Sequence, residues 1–419
     1  MLPKFKKITL KNKLDVYHIP VNLGSGVISV DLIYKVGSRN EIMGKSGIAH
    51  MLEHMNFKST KNRKAGEFDK IVKGFGGVDN ASTGFDYTHY FIKCSNSNLE
   101  KSLDLLSDMM ANLSLKDDEF QPERQVVAEE RRWRTDNNPF GFLFFNLFNT
   151  AFSYHPYHWT PIGFMDDIQN WEIDDIKAFH EIYYQPKNAF LMITGDCDEK
   201  TALNLAQKHF EKIKNRANLP KFYFKEPEQK GEKSAVIFKQ SEVEMCALAY
   251  KIPPFNHADM TAISALGDYL SDGEGSVLRK ILIDKLNLVN QIDAYALDLK
   301  DESLFIIMAV CNPNIKAQKV KDQILKIIQN IKTKAVPKDE LTKIKNSIKS
   351  DFIYSLTSAS NIANLYAGYI ARGDLKPLLD LEKNAAKLSS ENIKNAAKKY
   401  LISDKLTTII LKDNNETNY

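Results

Sequence analysis

The feature that most constrains this chain is a match between its two halves. Ile176–Asp196 (IKAFHEIYYQPKNAFLMITGD) lies without gaps on Ile393–Asp413 (IKNAAKKYLISDKLTTIILKD). Ile176/Ile393, Lys177/Lys394, Tyr183/Tyr400, Ile193/Ile410 and Asp196/Asp413 are identical. Both windows place a helix, a turn and a closing apolar strand at the same offsets, so the 419-residue chain reads as two copies of one domain. Residues 215–234 are rich in Pro, Lys and Glu and read as a linker. The expected division is 1–218, a linker at 219–233, and 234–419. Within the first copy, strands and helices follow one another without a regular βαβ alternation, which argues for the α+β class. Residues 6–36 read as two strands around Gly24-Ser25-Gly26. Helices are expected near 46–57, 65–74, 99–113 and 117–134, a strand or hairpin over 78–93, and a strand over 189–194.

Composition narrows the function classes. The net charge of +4 is too thin to imply nucleic acid as the main partner. No stretch approaches the roughly 20 apolar residues of a membrane span, and the greasiest segment, Phe140–Phe148, reads as a buried helix. Cys94, Cys197, Cys246 and Cys311 lie far apart with no CxxC pair, which reads as free thiols in a reducing compartment. The N-terminus shows no secretory h-region, so the expected location is the cytoplasm, or the periplasm if a signal peptide has been removed.

The chemistry concentrates in Gly47-Ile-Ala-His50-Met-Leu-Glu53-His54-Met-Asn-Phe57. On a helix, His50 and His54 stack on one face and can close on a single metal ion. Glu53 projects beside them, where it can reach a metal-bound water. This is the inverted zinc motif H-x-x-E-H. At this histidine frequency, chance yields about one such motif per hundred proteins, and Ile48, Met51, Leu52 and Met55 mark a buried helix whose polar groups need partners. The best source of a third ligand is the acidic helix after Gln121. At 100° per residue Glu123, Val127, Glu130 and Arg134 share a face and Glu129 falls off it, so Glu130 outranks Glu129 and Glu123 suits a supporting hydrogen bond to a liganding imidazole. On spacing alone, a charged surface helix explains that segment as well.

Beyond the zinc motif, VGSRNE (36–41), GIAHMLEHMNFK (47–58), GGVDNAST (76–83), ERQVVAEE (123–130), His155-Pro-Tyr157 leading to Gly163, and Tyr184–Asn188 with the strand to Asp196 occur in one order. Together they resemble the pitrilysin/insulinase family of zinc metallopeptidases, in its half-length branch with mitochondrial processing peptidase and bacterial relatives. The second half resembles it more loosely, in LSDGEGSVL (270–278) and the closing strand. The resemblance implies an α+β fold of two homologous domains of about 200 residues, each a mostly antiparallel sheet with helices packed on one face. It implies one Zn2+ per chain on His50, His54 and Glu130, the last standing 76 positions after His54 as in the family. Glu53 would be the general base of peptide hydrolysis. The peptide would add a strand to a sheet edge at Asn80, Ala81, Ser82 and Thr83.

In half-length members two chains enclose a chamber, and members able to cut alone carry an arginine and, seven residues on, a tyrosine in the second domain. Here those positions hold Ile283 and Asn290, with Arg279 and Tyr295 shifted by four and five residues. The expected partner is therefore a homologous second subunit supplying both groups, with a homodimer as the alternative. A non-catalytic scaffold subunit that keeps a zinc site is the rival reading, and a zinc-binding interaction module without turnover is a third.

Overall fold

A computed structural model describes residues 2–414. Two sheets divide the strands. The first holds β1 (Lys6–Thr9), β2 (Asp15–Pro20), β3 (Val27–Tyr34), β4 (Val78–Thr83), β5 (Thr88–Ser95) and β6 (Ala189–Gly195), in the order β1-β2-β6-β3-β5-β4. The second holds β7 (Lys233–Phe238), β8 (Met245–Ile252), β9 (Val289–Ala296), β10 (Ser303–Cys311) and β11 (Leu406–Lys412), in the order β7-β11-β8-β10-β9. Apart from β1 the two orders are one topology. Each has a single parallel pair, β2 with β6 and β7 with β11, in an otherwise antiparallel ladder. The fold is α+β with two copies of one plan. Helix Ile173–Tyr183, turn Pro186–Asn188 and β6 recur as helix Ser390–Tyr400, turn Ser403–Lys405 and β11. Every bound is displaced by the same 217 positions that separate Ile176 from Ile393.

Residues 6–34 form three strands where two are expected. A turn near Asn12 separates β1 from β2, with Lys13 at φ 74°, a left-handed backbone in a sequence without the usual Gly or Asn at that position.

The chain falls into two compact units whose segments do not follow the linker alone. Of the described residues, one comprises 2–130, 159–223 and 352–378; the other comprises 131–158, 224–351 and 379–414. In the first, one face of the sheet (Ile28, Val30, Leu32, Tyr34 on β3) joins a core with the helices Ile48–Met55, Glu67–Gly74, Leu99–Asn112 and Ile173–Tyr183. The opposite face is buried too, because helix Ala359–Arg372, from the second half of the sequence, packs on β3 and β6. Tyr366 on that helix donates to the Pro3 carbonyl and meets Phe5 edge-on. The second unit mirrors this. Cys246, Leu248, Tyr250 and Ile252 face its core, while helix Pro139–Ala151, from the first half, covers β8 and β11 on the other side. Strands buried on both faces read as continuous apolar runs, as MCALAYKI does. The apolar Phe140–Phe148 segment is the buried helix expected of it, with Leu143, Leu147 and Phe148 fully enclosed.

Candidate metal centre and peptide edge

The helix Ile48–Met55 is set in place from its N-terminus. Gly47 precedes it at φ 83°, and a Cβ there would stand 2.6 Å from the Ile162 carbonyl oxygen. The Glu41 carboxylate then accepts from the Gly47 and Ala49 amides at 2.8 Å and from the Trp159 indole at 2.7 Å. Burial pushes the Glu41 carboxyl up to about 8 against the pull of these three donors. Ile48, Met51, Leu52 and Met55 are buried, so the helix can turn only its polar stripe outward.

That stripe meets the helix Asp117–Arg131. The Glu130 Oε2 atom lies 3.4 Å from His54 Nε2 and 3.7 Å from His50 Nε2. The potential ligand atoms of His50, His54 and Glu130 all lie within 4.8 Å of one another. A tetrahedral ion with bonds of about 2.0–2.1 Å spaces its donors by about 3.3 Å, so the two glutamate–histidine separations fit. His54 Nδ1–H donates to Glu123 Oε1 at 2.7 Å, which fixes the tautomer and leaves Nε2 facing Glu130. Lys58 pairs with the other Glu123 oxygen at 2.5 Å. Burial alone would push the His54 imidazole down, but the hydrogen bonds and charges of Glu123 and Glu130 outweigh it and hold it up at about 9. The two carboxylates around His54 thus favour positive charge at this position, whether a proton or a metal cation. Two buried-edge imidazoles and a carboxylate are the donor set that suits zinc.

Glu129 points to solvent and Glu130 does not, as the helical face requires. Arg134 leaves that face because the helix widens into a π-type turn over Arg132–Asp136, which breaks the 100° step. Glu53 is half-buried on the helix that carries His50 and His54, and the Thr83 hydroxyl donates to its Oε2 at 2.5 Å. Among the described residues, β4 is an edge strand, paired with β5 alone. Asn80 and Ser82 expose their side chains on one face, while Ala81 and Thr83 turn theirs inward on the other. Gly84 N–H reaches back to the Tyr87 carbonyl, whereas Ala81 N–H bonds the Asn80 Oδ1 atom at 2.9 Å. By the alternation of an antiparallel ladder, the backbone groups of Ala81 and Thr83 therefore face the open edge.

In the second unit Ile283 lies in a π-type turn, Arg279–Lys285, and Asn290 is exposed on β9; Arg279 and Tyr295 are half-buried. Sequence reasoning did not find Glu41 as the anchor of the metal helix, Lys58 as the partner of Glu123, or the Thr83–Glu53 hydrogen bond. Only the last had a visible signal, the period of two along 80–83.

A family model described as insulinase (peptidase family M16) matches residues 24–160, and one described as the peptidase M16 inactive domain matches 170–348. A protein of Helicobacter pylori named zinc protease PqqE is 51% identical over 414 residues, which cover 98% of this chain and 93% of that one. This chain belongs to the M16 peptidases. A crystal structure titled as a protease from Helicobacter pylori superposes on this M16 chain with a TM-score of 0.96 at 52% identity, covering 98% of this chain and all of that one. A probable mitochondrial-processing peptidase subunit beta of Arabidopsis thaliana is 24% identical, over 95% of this chain and 76% of its own length. Names of M16 relatives thus include zinc proteases and a peptidase subunit, and the M16 model that covers much of the second half is described as inactive. No helix among the described residues is long and apolar enough to cross a membrane.

Proposed function

We propose that the chain is a zinc-dependent endopeptidase that hydrolyses peptides or unfolded segments. The observation that carries this reading is the convergence of His50, His54 and Glu130 while the Glu53 carboxylate on the same helix stays outside the triad. His50 and His54 offer imidazole nitrogens and Glu130 one carboxylate oxygen. Glu123 orients His54 through Nδ1–H. When bound, zinc supplies Lewis acidity towards a carbonyl oxygen and a water. Glu53 accepts the water proton and returns it to the leaving amine. The open edge of β4 receives the peptide as an added strand, so main-chain hydrogen bonds give most of the affinity.

The companion part of the proposal concerns Ile283. An aliphatic side chain donates no hydrogen bond, and the loss of one oxyanion donor costs about 10²–10³ in rate. A homologous second chain then brings the missing arginine and tyrosine, the two enclosing a chamber. Four free cysteines, three of them buried, suit a reducing compartment, and we assign the cytoplasm on that ground. A zinc-holding scaffold without turnover remains the second reading, favoured by Ile283 and Asn290.

Metal analysis and a peptide-digestion screen test the proposal, with the chain alone and mixed with a homologous companion from the same genome. About one zinc per chain is expected, with cleavage mainly in the mixture. Glu53→Gln should keep the zinc and lower hydrolysis by about 10²–10⁴-fold. Full activity in that variant refutes the assigned base, and no cleavage under any pairing favours the scaffold.

A further inference from the structure

Thr83 stands in two places at once. Its backbone belongs to the open edge of β4, and its side-chain hydroxyl, on the inward face, holds the Glu53 carboxylate at 2.5 Å. We infer that Thr83 is the positioning residue of the general base and ties the placement of Glu53 to the strand that receives the peptide. The inference rests on the peptidase reading for its catalytic meaning, but the Thr83–Glu53 link is a property of the chain itself.

Three features argue for it. A glutamate has three rotatable side-chain bonds and, without a fixed partner, sweeps a volume far larger than the tolerance of proton transfer. Threonine is β-branched and stiff at χ1, so its hydroxyl position follows the strand backbone closely. That backbone is itself fixed. Next to Thr83, the Gly84 N–H donates to the Tyr87 carbonyl at 2.9 Å, and Thr88, opposite Thr83 on β5, anchors its hydroxyl on the Val36 carbonyl at 2.9 Å. The base is thus referenced to the β4–β5 hairpin as well as to its own helix. Serine keeps the donor but not the branch, and valine keeps the branch but not the donor, so the two variants separate the hydroxyl from the shape.

The sequence motif alone assigns residues 80–83 to the peptide as a group. The alternation of β4 divides them: Asn80 and Ser82 present side chains on the exposed face, and the Thr83 side chain is turned to Glu53 instead of to a ligand.

The test uses the zinc-loaded full chain, with whatever companion gives turnover. Thr83→Val should leave zinc content unchanged and KM within about twofold, and lower kcat about ten- to hundredfold, the worth of a hydrogen bond to a charged group. Thr83→Ser should restore kcat to within about threefold of the parent. An unchanged kcat in Thr83→Val overturns the inference. So does a raised KM with kcat kept, which would mean that the hydroxyl binds substrate, and so does a serine variant as poor as valine. If the parent cleaves nothing, the peptidase reading fails separately, and a double-mutant cycle on unfolding decides this point. Thr83→Val and Glu53→Ala at equal zinc content should then be coupled by about tenfold or more in the unfolding constant. Additive effects overturn the link.

Discussion

Replacing Glu123 by alanine tests whether the proposed metal centre is held by more than its ligands. Glu123 touches no ion itself. It takes the His54 Nδ1–H at 2.7 Å and balances Lys58 at 2.5 Å, with a side chain only 12% exposed. A hydrogen bond to a charged group at such a site is worth about 1.5–3 kcal/mol. If most of that is spent on orienting His54, zinc affinity falls about 10–100-fold, the range typical of outer partners of metal ligands. A second effect acts in the same direction. The change leaves the Lys58 ammonium beside the His54 imidazole with no carboxylate between them, and a cation there opposes a divalent ion. Lys58→Met, which keeps Glu123, should cost much less. The assay is zinc competition against a chromophoric chelator at fixed pH and ionic strength, with a thermal scan to verify folding. An affinity within twofold of the parent in folded Glu123→Ala would refute the argument that this carboxylate sets the geometry of His54.

Further outcomes follow from the same structure. Glu130→Gln should empty the zinc site while Glu129→Gln retains it, as read by metal content after dialysis; the reverse pattern would move the third ligand to the exposed face. Glu41→Ala strips the acceptor from the Gly47, Ala49 and Trp159 donors, and at about 1–3 kcal/mol for each buried donor left bare it should cost roughly 3–9 kcal/mol in denaturant unfolding. A loss under about 1 kcal/mol would mean that water replaces the carboxylate. Lys251 has its ammonium 3.2 Å over the Phe152 ring and 3.8 Å from Glu226, and burial pushes it down to about 7. Between about 7 and 10.5 the unfolded chain binds a proton there that the folded chain lacks, so this group makes stability rise with pH, by at most about 1.4 kcal/mol per unit. Lys251→Met should therefore raise stability at pH 7 and flatten that slope; an unchanged slope from pH 7 to 10 counts against it.

Much of this was legible in the chain because the signals were local. His50 and His54 announce their helix through Ile48, Met51, Leu52 and Met55, and the repeat ending in β6 and β11 keeps its spacing residue for residue. That Glu130, and not Glu129, turns toward the histidines needed only the pitch of a helix. What failed to show was non-local or lacked a turn signature. The break before β2 rests on Lys13 in a left-handed conformation, which no Gly or Pro advertises. The Phe140–Phe148 segment says how apolar its helix is, but not that it covers β8 and β11 of the other half. Glu41 lies outside any helix, and its value comes from three donors, one of them 118 positions away. The Thr83–Glu53 hydrogen bond left only the period of two along 80–83, masked because the motif there resembles a peptide-binding strand as a block.

The exchange of helices between the halves has a consequence for how the protein is made. The outer face of β3 and β6 is complete only when Ala359–Arg372 has been synthesised, although the last strand of that sheet ends at Gly195. At about 5–20 residues per second the ribosome needs on the order of ten to thirty seconds to deliver the missing helix. During that interval the nascent chain already holds every residue of the proposed metal centre yet leaves Ile33, Phe190 and Met192 uncovered on that face, beside the polar Ser29, Asp31 and Thr194. The order of translation thus makes the first half wait for the second, and a message cut between codons 195 and 359 is expected to yield a chain that folding factors and proteases recognise by that bare face.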